Sequence, residues 1–513
     1  MGMELNEGND SGRLVARRTV DAGLAGRAGL AALGPWLAQA GLPFILILYL
    51  GLRSGGYDVI VRSEVGVAAW WIVLLGTVVG ALPLAQLPRR AWIALGVFSA
   101  FALWTGLGIG WSESAERSVA ELGRVATLGG VFALALAAQG PDGMRRMVAG
   151  VGAGVAAVAG IALLSRLQPS SFPALEAPEF VPESRARLHY PLNYWNGLAA
   201  FVAIGLPLLL ALTTAARHAP ARALAAAAIP VLALTAYYTL SRGGAAAAVV
   251  ALLVLVALHP RRLALVALGL PSAAGSAILI AAASQRDPLA DGLLNASAAR
   301  QGDEMLAMTL VVCVGVGLLT AALALAERHG LGPRLELRRR GAGAAAVAVA
   351  AIALVVGLAA GLPGAGGDAW REFKEPAVPT AEAGRFSSAG GSGRYQFWEA
   401  AVDAGRSEPL TGIGPGTYEF FWAREGTLPT SIRDAHSLYL ETFAELGIIG
   451  LALVLAVVAS PFLLGARRRN ALDPERRATR GHDPQVRAPL ECCARQSGRG
   501  VEHVLAVVED QQR

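Results

Sequence analysis

Charge is scarce in this 513-residue sequence: 16% of positions are Asp, Glu, Lys or Arg, against 54% hydrophobic residues and a mean hydropathy of +0.49. Soluble domains carry about 25% charged residues, so an ordinary soluble enzyme is excluded and a polytopic membrane protein is indicated. Cysteine is scarcer still, with three residues: Cys313 inside an apolar run and the adjacent pair Cys492 and Cys493 near the end. That spacing excludes a disulfide framework and a cysteine metal site. The first 28 residues are polar, contain Arg13, Arg17, Arg18 and Arg27, and lack a short apolar core with a cleavage site. No removable signal peptide is expected, and the first span serves as its own insertion signal. No internal repeat is strong enough to suggest an array. The net charge of +6 is almost all arginine placed near span ends, which points to membrane orientation and not to nucleic acid.

What the sequence has in abundance is apolar runs of Ala, Gly, Leu and Val, near the roughly 20 residues that cross a bilayer as a helix. Candidate spans fall at 30–52, 66–87, 91–110, 118–139, 147–167, 194–215, 221–240, 243–259, 262–284, 303–326, 343–363 and 437–466. Gly and Pro inside these runs are tolerated in membrane helices. The expected fold is an all-α polytopic membrane protein of about 12 transmembrane helices, with a large extracytoplasmic loop before the last one. The expected parts are a cytoplasmic N-terminal tail 1–29, helices 1–11 within 30–363, the loop 364–436, helix 12 over 437–466 and a solvated cytoplasmic tail 467–513. Alternate connections are rich in arginine, as in "LPRR" at 87–90 and "HPRR" at 259–262, while the others are longer or more acidic. That alternation places both ends in the cytoplasm and the loop outside.

Ionisable residues at membrane depth are costly, so their distribution between the two faces carries information. Three polar sets gather on the expected outer face. The connection Ser241–Arg242–Gly243–Gly244 is too short to rise into solvent, which holds Arg242 at the membrane surface, either as a snorkelling arginine or as an anion site. The stretch "ESRARLHYPLNYWNGLAAF" at 183–201 brings Arg187, His189, Asn193 and Asn196 to the start of a span, where the amides suit helix capping and Tyr194 and Trp195 suit an interfacial belt. The third set is the long loop. It opens with a Gly-, Pro- and Ser-rich stretch read as irregular backbone and continues into "RYQFWEAAVDAGRSE", which has the apolar spacing of a short helix. It ends with "PLTGIGPGTYEFFW", in which Gly412, Gly414 and Gly416 form a tight turn and not a dinucleotide loop. His436 then stands at the entrance to the last span, and Glu441 and Glu445 share one face of it. From His436 to Gly465 the chain would run about 45 Å as one helix, against about 30 Å of hydrocarbon.

These motifs resemble the O-antigen ligase and polymerase family, membrane enzymes that handle lipid-linked glycans. The resemblance is strongest over 394–451, where "GRYQFWEAAV", "PLTGIGPGTYEFF" and "AHSLYLETFAELGIIGL" follow the family's order. It extends to "LNYWNGLAA" at 192–200 and "SRGG" at 241–244. Ser437 stands where the family commonly has Asn after the histidine.

The resemblance implies transfer of a glycan from a polyprenyl diphosphate carrier to an acceptor hydroxyl on a glycan, lipid or protein. The expected setting is the extracytoplasmic face of a bacterial cytoplasmic membrane, in polysaccharide biosynthesis for the cell envelope. Arg242 and Arg394, with Arg187 as a third candidate, would hold the diphosphate, because guanidinium binds phosphate in a bidentate manner and stays charged. His436 would be the general base or the group that orients the acceptor. Asn193, Asn196, Ser241, Ser437, Glu445, Gly412 and Gly414 would support substrate or structure. No cofactor and no metal is expected, since no paired-carboxylate motif appears on that face. The alternative is a transporter or flippase of lipid-linked saccharides, which would place polar groups near the midplane at a repeat interface.

Overall fold

The computed structural model describes residues 37–80, 82, 84, 87–137, 143–172, 185–329, 362–375, 391 and 393–471. Among these the regular structure is helical throughout: α1 Leu42–Leu52, α2 Val59–Val78, α3 Arg89–Leu107, α4 Ala115–Ala137, α5 Gly143–Leu167, α6 Trp195–Ala215, α7 Ala219–Tyr238, α8 Arg242–Leu258, α9 Arg262–Ala283, α10 Asp287–Ala290, α11 Ala296–Arg328, α12 Leu362–Lys374, α13 Arg394–Ser407, α14 Tyr418–Glu425 and α15 Leu438–Ala471. Among the described residues, nine helices are long and apolar enough to cross a membrane: α2 to α7, α9, α11 and the Leu438–Ser460 part of α15. The segment Leu37–Leu52 and α8 are shorter apolar helices. The chain is therefore a multi-pass, all-helical membrane protein. Residues 343–361 of one expected span, the expected N-terminal tail and residues 472–513 lie outside the described residues, so the count of twelve is not reached here.

Several boundaries differ from the hydropathy reading for local reasons. α2 begins at Val59, seven residues before the expected 66, because the Asp58 carboxylate caps it, accepting from the N–H groups of Ile60 at 2.8 Å and Val61 at 3.2 Å. α11 begins at Ala296, capped by Asn295 Oδ1 on the Ala298 N–H at 2.8 Å. The stretch from Leu362, expected as irregular backbone, is instead the helix α12. Its Trp370 and Phe373 stack one turn apart, with ring centroids at 5.6 Å, and Arg371 pairs with Asp368.

The chain divides into two compact units. The first holds Met1–Leu84, Gly123–Glu399 and Gly426–Thr430. Its centre is α6, flanked by α5, α7 and α8, with Val155, Ala159, Leu198, Val202, Leu206, Leu232, Leu234 and Leu279 buried together. Lipid tails are as apolar as leucine, so helices in a bilayer associate through close packing and not through the hydrophobic effect. Small residues allow it: Gly150 and Gly154 of α5 lie against Ala40 and Ile47, and a methyl on Gly154 would stand 3.0 Å from Ile47 Cβ. On α2, by contrast, Trp70, Trp71, Leu74, Leu75 and Val78 are exposed, as a lipid-facing helix requires.

The second unit holds Ala85–Leu122, Ala400–Glu425 and Ser431–Arg513. In it α3 packs along α15, and the loop 409–417 is stitched to α15. α15 is not the single rod expected from its length. Gly447 has φ 64° and ψ −166°, which only glycine adopts readily. The ladder opens there, and the freed groups are taken up elsewhere. The carbonyls of Ala444 and Glu445 accept from the N–H groups of Ile413 and Gly414, both at 3.0 Å. Ile448 N–H donates to Pro409 O at 2.9 Å, and the Leu446 carbonyl accepts from Trp104 Nε1 at 2.9 Å. A break inside a membrane helix is tolerated only when its polar groups are satisfied in this way.

Candidate functional site

In the first unit the polar residues gather where α6 and α8 begin. Ser241 is the N-cap of α8: its Oγ accepts the Gly244 N–H at 3.2 Å and donates its own proton to Asn196 Oδ1 at 2.8 Å. The first turns of α6 and α8 are thereby tied together. Arg242 is the first residue of α8, half-buried and placed within that turn. The sequence reading had all four residues Ser241–Gly244 as connection; Arg242 and its two glycines are instead already helical. Asn193 has φ 56° and donates from Nδ2 to Ser54 Oγ at 2.9 Å, so it shapes the approach to α6.

Arg187 lies on the segment that precedes α6 and is 7% exposed. Its guanidinium sits over the Trp195 indole, 4.9 Å from the ring centroid. Arg187 Nη2 and Trp195 Nε1 are both buried without a hydrogen-bond partner among the described residues. Two donors left unpaired in a buried place carry a penalty of about 1–3 kcal/mol each, more for the charged one. An anionic oxygen would remove it. Arg166, at the end of α5, holds this segment in place by donating to the carbonyls of Ala186 at 2.9 Å, Arg185 at 3.3 Å and Leu289 at 3.4 Å. His189 Nδ1 lies 2.9 Å from the Arg187 carbonyl and must carry the proton of that bond. Burial, with the Arg166 charge adding to it, pushes the His189 imidazole below its ordinary value.

Arg394 opens α13, its N–H bonded to Gly391 O at 3.1 Å. The following residues of α13 pack on α12: Tyr395 meets Trp370 edge-on, with centroids at 6.0 Å, Trp398 meets Phe373 at 5.5 Å, and Gln396 Nε2 donates to Lys374 O at 2.7 Å.

In the second unit the turn at 409–417 and the start of α15 are one construction. Gly412 has φ 70°, and a side chain there would collide with the Glu445 backbone. Gly414 donates its N–H to Glu445 O. The Glu445 side chain, 8% exposed, accepts from the Tyr418 N–H at 3.2 Å, at the first residue of α14. Read from the sequence as a support for substrate or structure, Glu445 is joined here to the backbone of the loop. Ser118 Oγ, at 2.7 Å, secures the Pro415 carbonyl. His436 is exposed with φ 55°, a left-handed conformation uncommon for a residue with a Cβ. Ser437 is half-buried, and its carbonyl accepts the Glu441 N–H at 2.9 Å.

Three residues of these clusters escaped the sequence reading. Arg166 had only its place at the end of an apolar run, Trp195 was read as an interfacial aromatic, and Glu441 was left without a role. Only Arg166 had a usable signal, a charge at span depth with no neighbour to share it.

Residues 305–455 match the family model described as O-antigen ligase. The matched stretch contains Arg394, Gly412, Gly414, His436, Ser437 and Glu445; Arg187, Asn193, Asn196, Ser241 and Arg242 lie before it. No curated protein and no solved structure matches the chain. Over residues 305–455 the chain is therefore similar to the O-antigen ligase family, whose members are membrane glycosyltransferase-like ligases and polymerases.

Proposed function

We propose that the protein transfers a glycan from a polyprenyl diphosphate carrier to an acceptor hydroxyl, on the extracytoplasmic face of a bacterial cytoplasmic membrane. The observation that carries this reading is the joining of two helix N-termini, α6 and α8, by the Ser241–Asn196 hydrogen bond, with Arg242 in one first turn and the unpaired donor of Arg187 beside the other. Free N–H groups and the positive ends of two helix dipoles suit an anionic oxygen. Guanidinium groups suit a phosphate ester that must leave.

In this reading the acceptor oxygen forms a bond to the anomeric carbon of the donor glycan. The bond from that carbon to the phosphate oxygen breaks, and the diphosphate departs on its lipid. Arg242 and Arg394, with Arg187, neutralise the charge it gains, and His436 takes the proton from the acceptor hydroxyl. The supporting roles fall to Asn193, Asn196, Ser241, Ser437, Glu445, Gly412 and Gly414.

The test is reconstitution of the full chain into vesicles with a lipid-linked oligosaccharide and a soluble acceptor. New glycosidic bonds are expected, and His436→Ala and Arg242→Ala should each lower the rate by about 100-fold or more while inserting normally. Movement of the donor across the bilayer without new bonds would replace the enzyme reading with transport. Full-rate transfer by both variants would remove the role assignments.

A further inference from the structure

We propose that Glu441 is a positioning residue that sets the backbone of His436, and so the direction from which its imidazole meets the acceptor. The inference rests on the reading of His436 as the proton acceptor. Its basis is a double attachment. The Glu441 carboxylate, through Oε2, accepts the Ala435 N–H at 2.9 Å, and the Glu441 N–H donates to Ser437 O at 2.9 Å. One residue therefore grips the chain on either side of His436. Ala435 is fully buried, His436 beside it is exposed, and φ at His436 is 55°.

A left-handed residue with a Cβ costs about 1–3 kcal/mol and persists only where its surroundings dictate it. A hydrogen bond to a charged acceptor offsets a cost of that size, at about 1.5–3 kcal/mol. Without the carboxylate, the Ala435 N–H has no acceptor in the first turn of α15, and residues 435–437 are free to relax toward ordinary helical or extended backbone. His436 would then leave its bearing even though its side chain is untouched.

Glu445, one turn further along, does not substitute. Its carboxylate is committed to the Tyr418 N–H, 3.2 Å away. The two glutamates thus hold different segments, Glu445 the glycine turn and α14, Glu441 the histidine. Tyr418 also faces Glu441, whose charge, after burial, helps to keep the phenol protonated.

The experiment compares Glu441→Ala with Glu441→Gln in the reconstituted full chain. Glutamine keeps an oxygen that accepts the Ala435 N–H, so the pair separates hydrogen bonding from charge. Glu441→Ala should lower kcat by about 10- to 100-fold, the scale of a misplaced catalytic group, with the donor KM unchanged. Glu441→Gln should restore most of the rate. Peptide-level hydrogen exchange supplies a readout that needs no turnover: amides of 433–438 should exchange about tenfold faster in Glu441→Ala, with those of 409–418 unchanged. If Glu441→Ala does not insert, Glu441→Asp takes its place, its carboxylate one methylene short of Ala435. Wild-type rate and exchange in the alanine variant overturn the proposal. So does a glutamine variant that recovers exchange but not rate, since the carboxylate would then act chemically. A wild-type chain that transfers no glycan fails the functional reading alone, because the exchange comparison still judges the attachment.

Discussion

Ser241 Oγ donates to Asn196 Oδ1 across 2.8 Å while accepting the Gly244 N–H at 3.2 Å, so one hydroxyl both caps α8 and joins it to α6. Replacing it removes two functions at once. Ser241→Ala should cost about 1 kcal/mol of stability through the lost cap, read as a lower thermal midpoint in detergent. It should also raise the donor KM, because the two first turns are no longer held together. Ser241→Thr keeps the hydroxyl and should restore the cap.

The bearing of Glu445 on the loop leads to a different outcome. Glu445→Leu leaves the buried Tyr418 N–H without its acceptor, at a cost of about 1–3 kcal/mol. Glu445→Gln keeps an oxygen in place. Hydrogen exchange over 416–420 should rise in the leucine variant and stay near wild type in the glutamine one. Equal protection in both would mean that the carboxylate is dispensable to the loop.

Gly447 allows a direct test of the break in α15. Alanine cannot take φ 64° with ψ −166° cheaply, and its methyl would meet the Leu410 carbonyl. Gly447→Ala should therefore destabilise by about 1–3 kcal/mol, or rebuild the helix and expel the 409–414 turn. Thermal unfolding, with proteolysis of the loop, distinguishes these from an unaffected protein, which would contradict the geometry.

His189 makes stability depend on pH. Its imidazole is held below the ordinary value of 6.5, by burial first and by the Arg166 charge second. Below 6.5 the unfolded chain binds a proton that the folded chain resists, so the unfolded state gains. The stability due to this group is complete above pH 6.5 and is lost as the pH falls through the lower folded value. The thermal midpoint of the wild type should fall in that window, while His189→Gln should show a smaller fall.

Most of the fold was legible because a bilayer-length apolar run allows few alternatives. Nine of the twelve expected spans overlap helices long and apolar enough to cross a membrane, two overlap shorter apolar helices, and residues 343–361 of the other lie outside the described residues. Hydropathy was blind to charged first turns, so α2 with Arg62, Ser63 and Glu64 was entered late. It was equally blind to Gly447, since "LGIIGL" is as apolar broken as continuous. The helical start after Ser241 was missed, because a serine and two glycines read equally well as a connection, and its bond to Asn196 was out of reach, because the two stand 45 positions apart. The partner of Glu445 was hidden for the same reason. Its place on the last span says only which helix face it shares with Glu441, whereas its carboxyl meets the Tyr418 N–H, 27 positions earlier on a loop that only folding brings near. Spacing along one helix informs on that helix; it carries nothing about a loop sewn into its middle.

The joint at Gly447 also bears on how the protein meets membranes of different thickness. A straight rod that tilts to suit a thin or thick bilayer swings its far end through a wide arc, and a histidine there would swing with it. In α15 the segment Leu438–Leu446 is fastened to the 409–414 turn and to Trp104, and the helical ladder is open at Gly447, between that segment and the apolar length after it. A change of tilt in that apolar length would bend the chain at Gly447 first, and the attachments before it would hold His436.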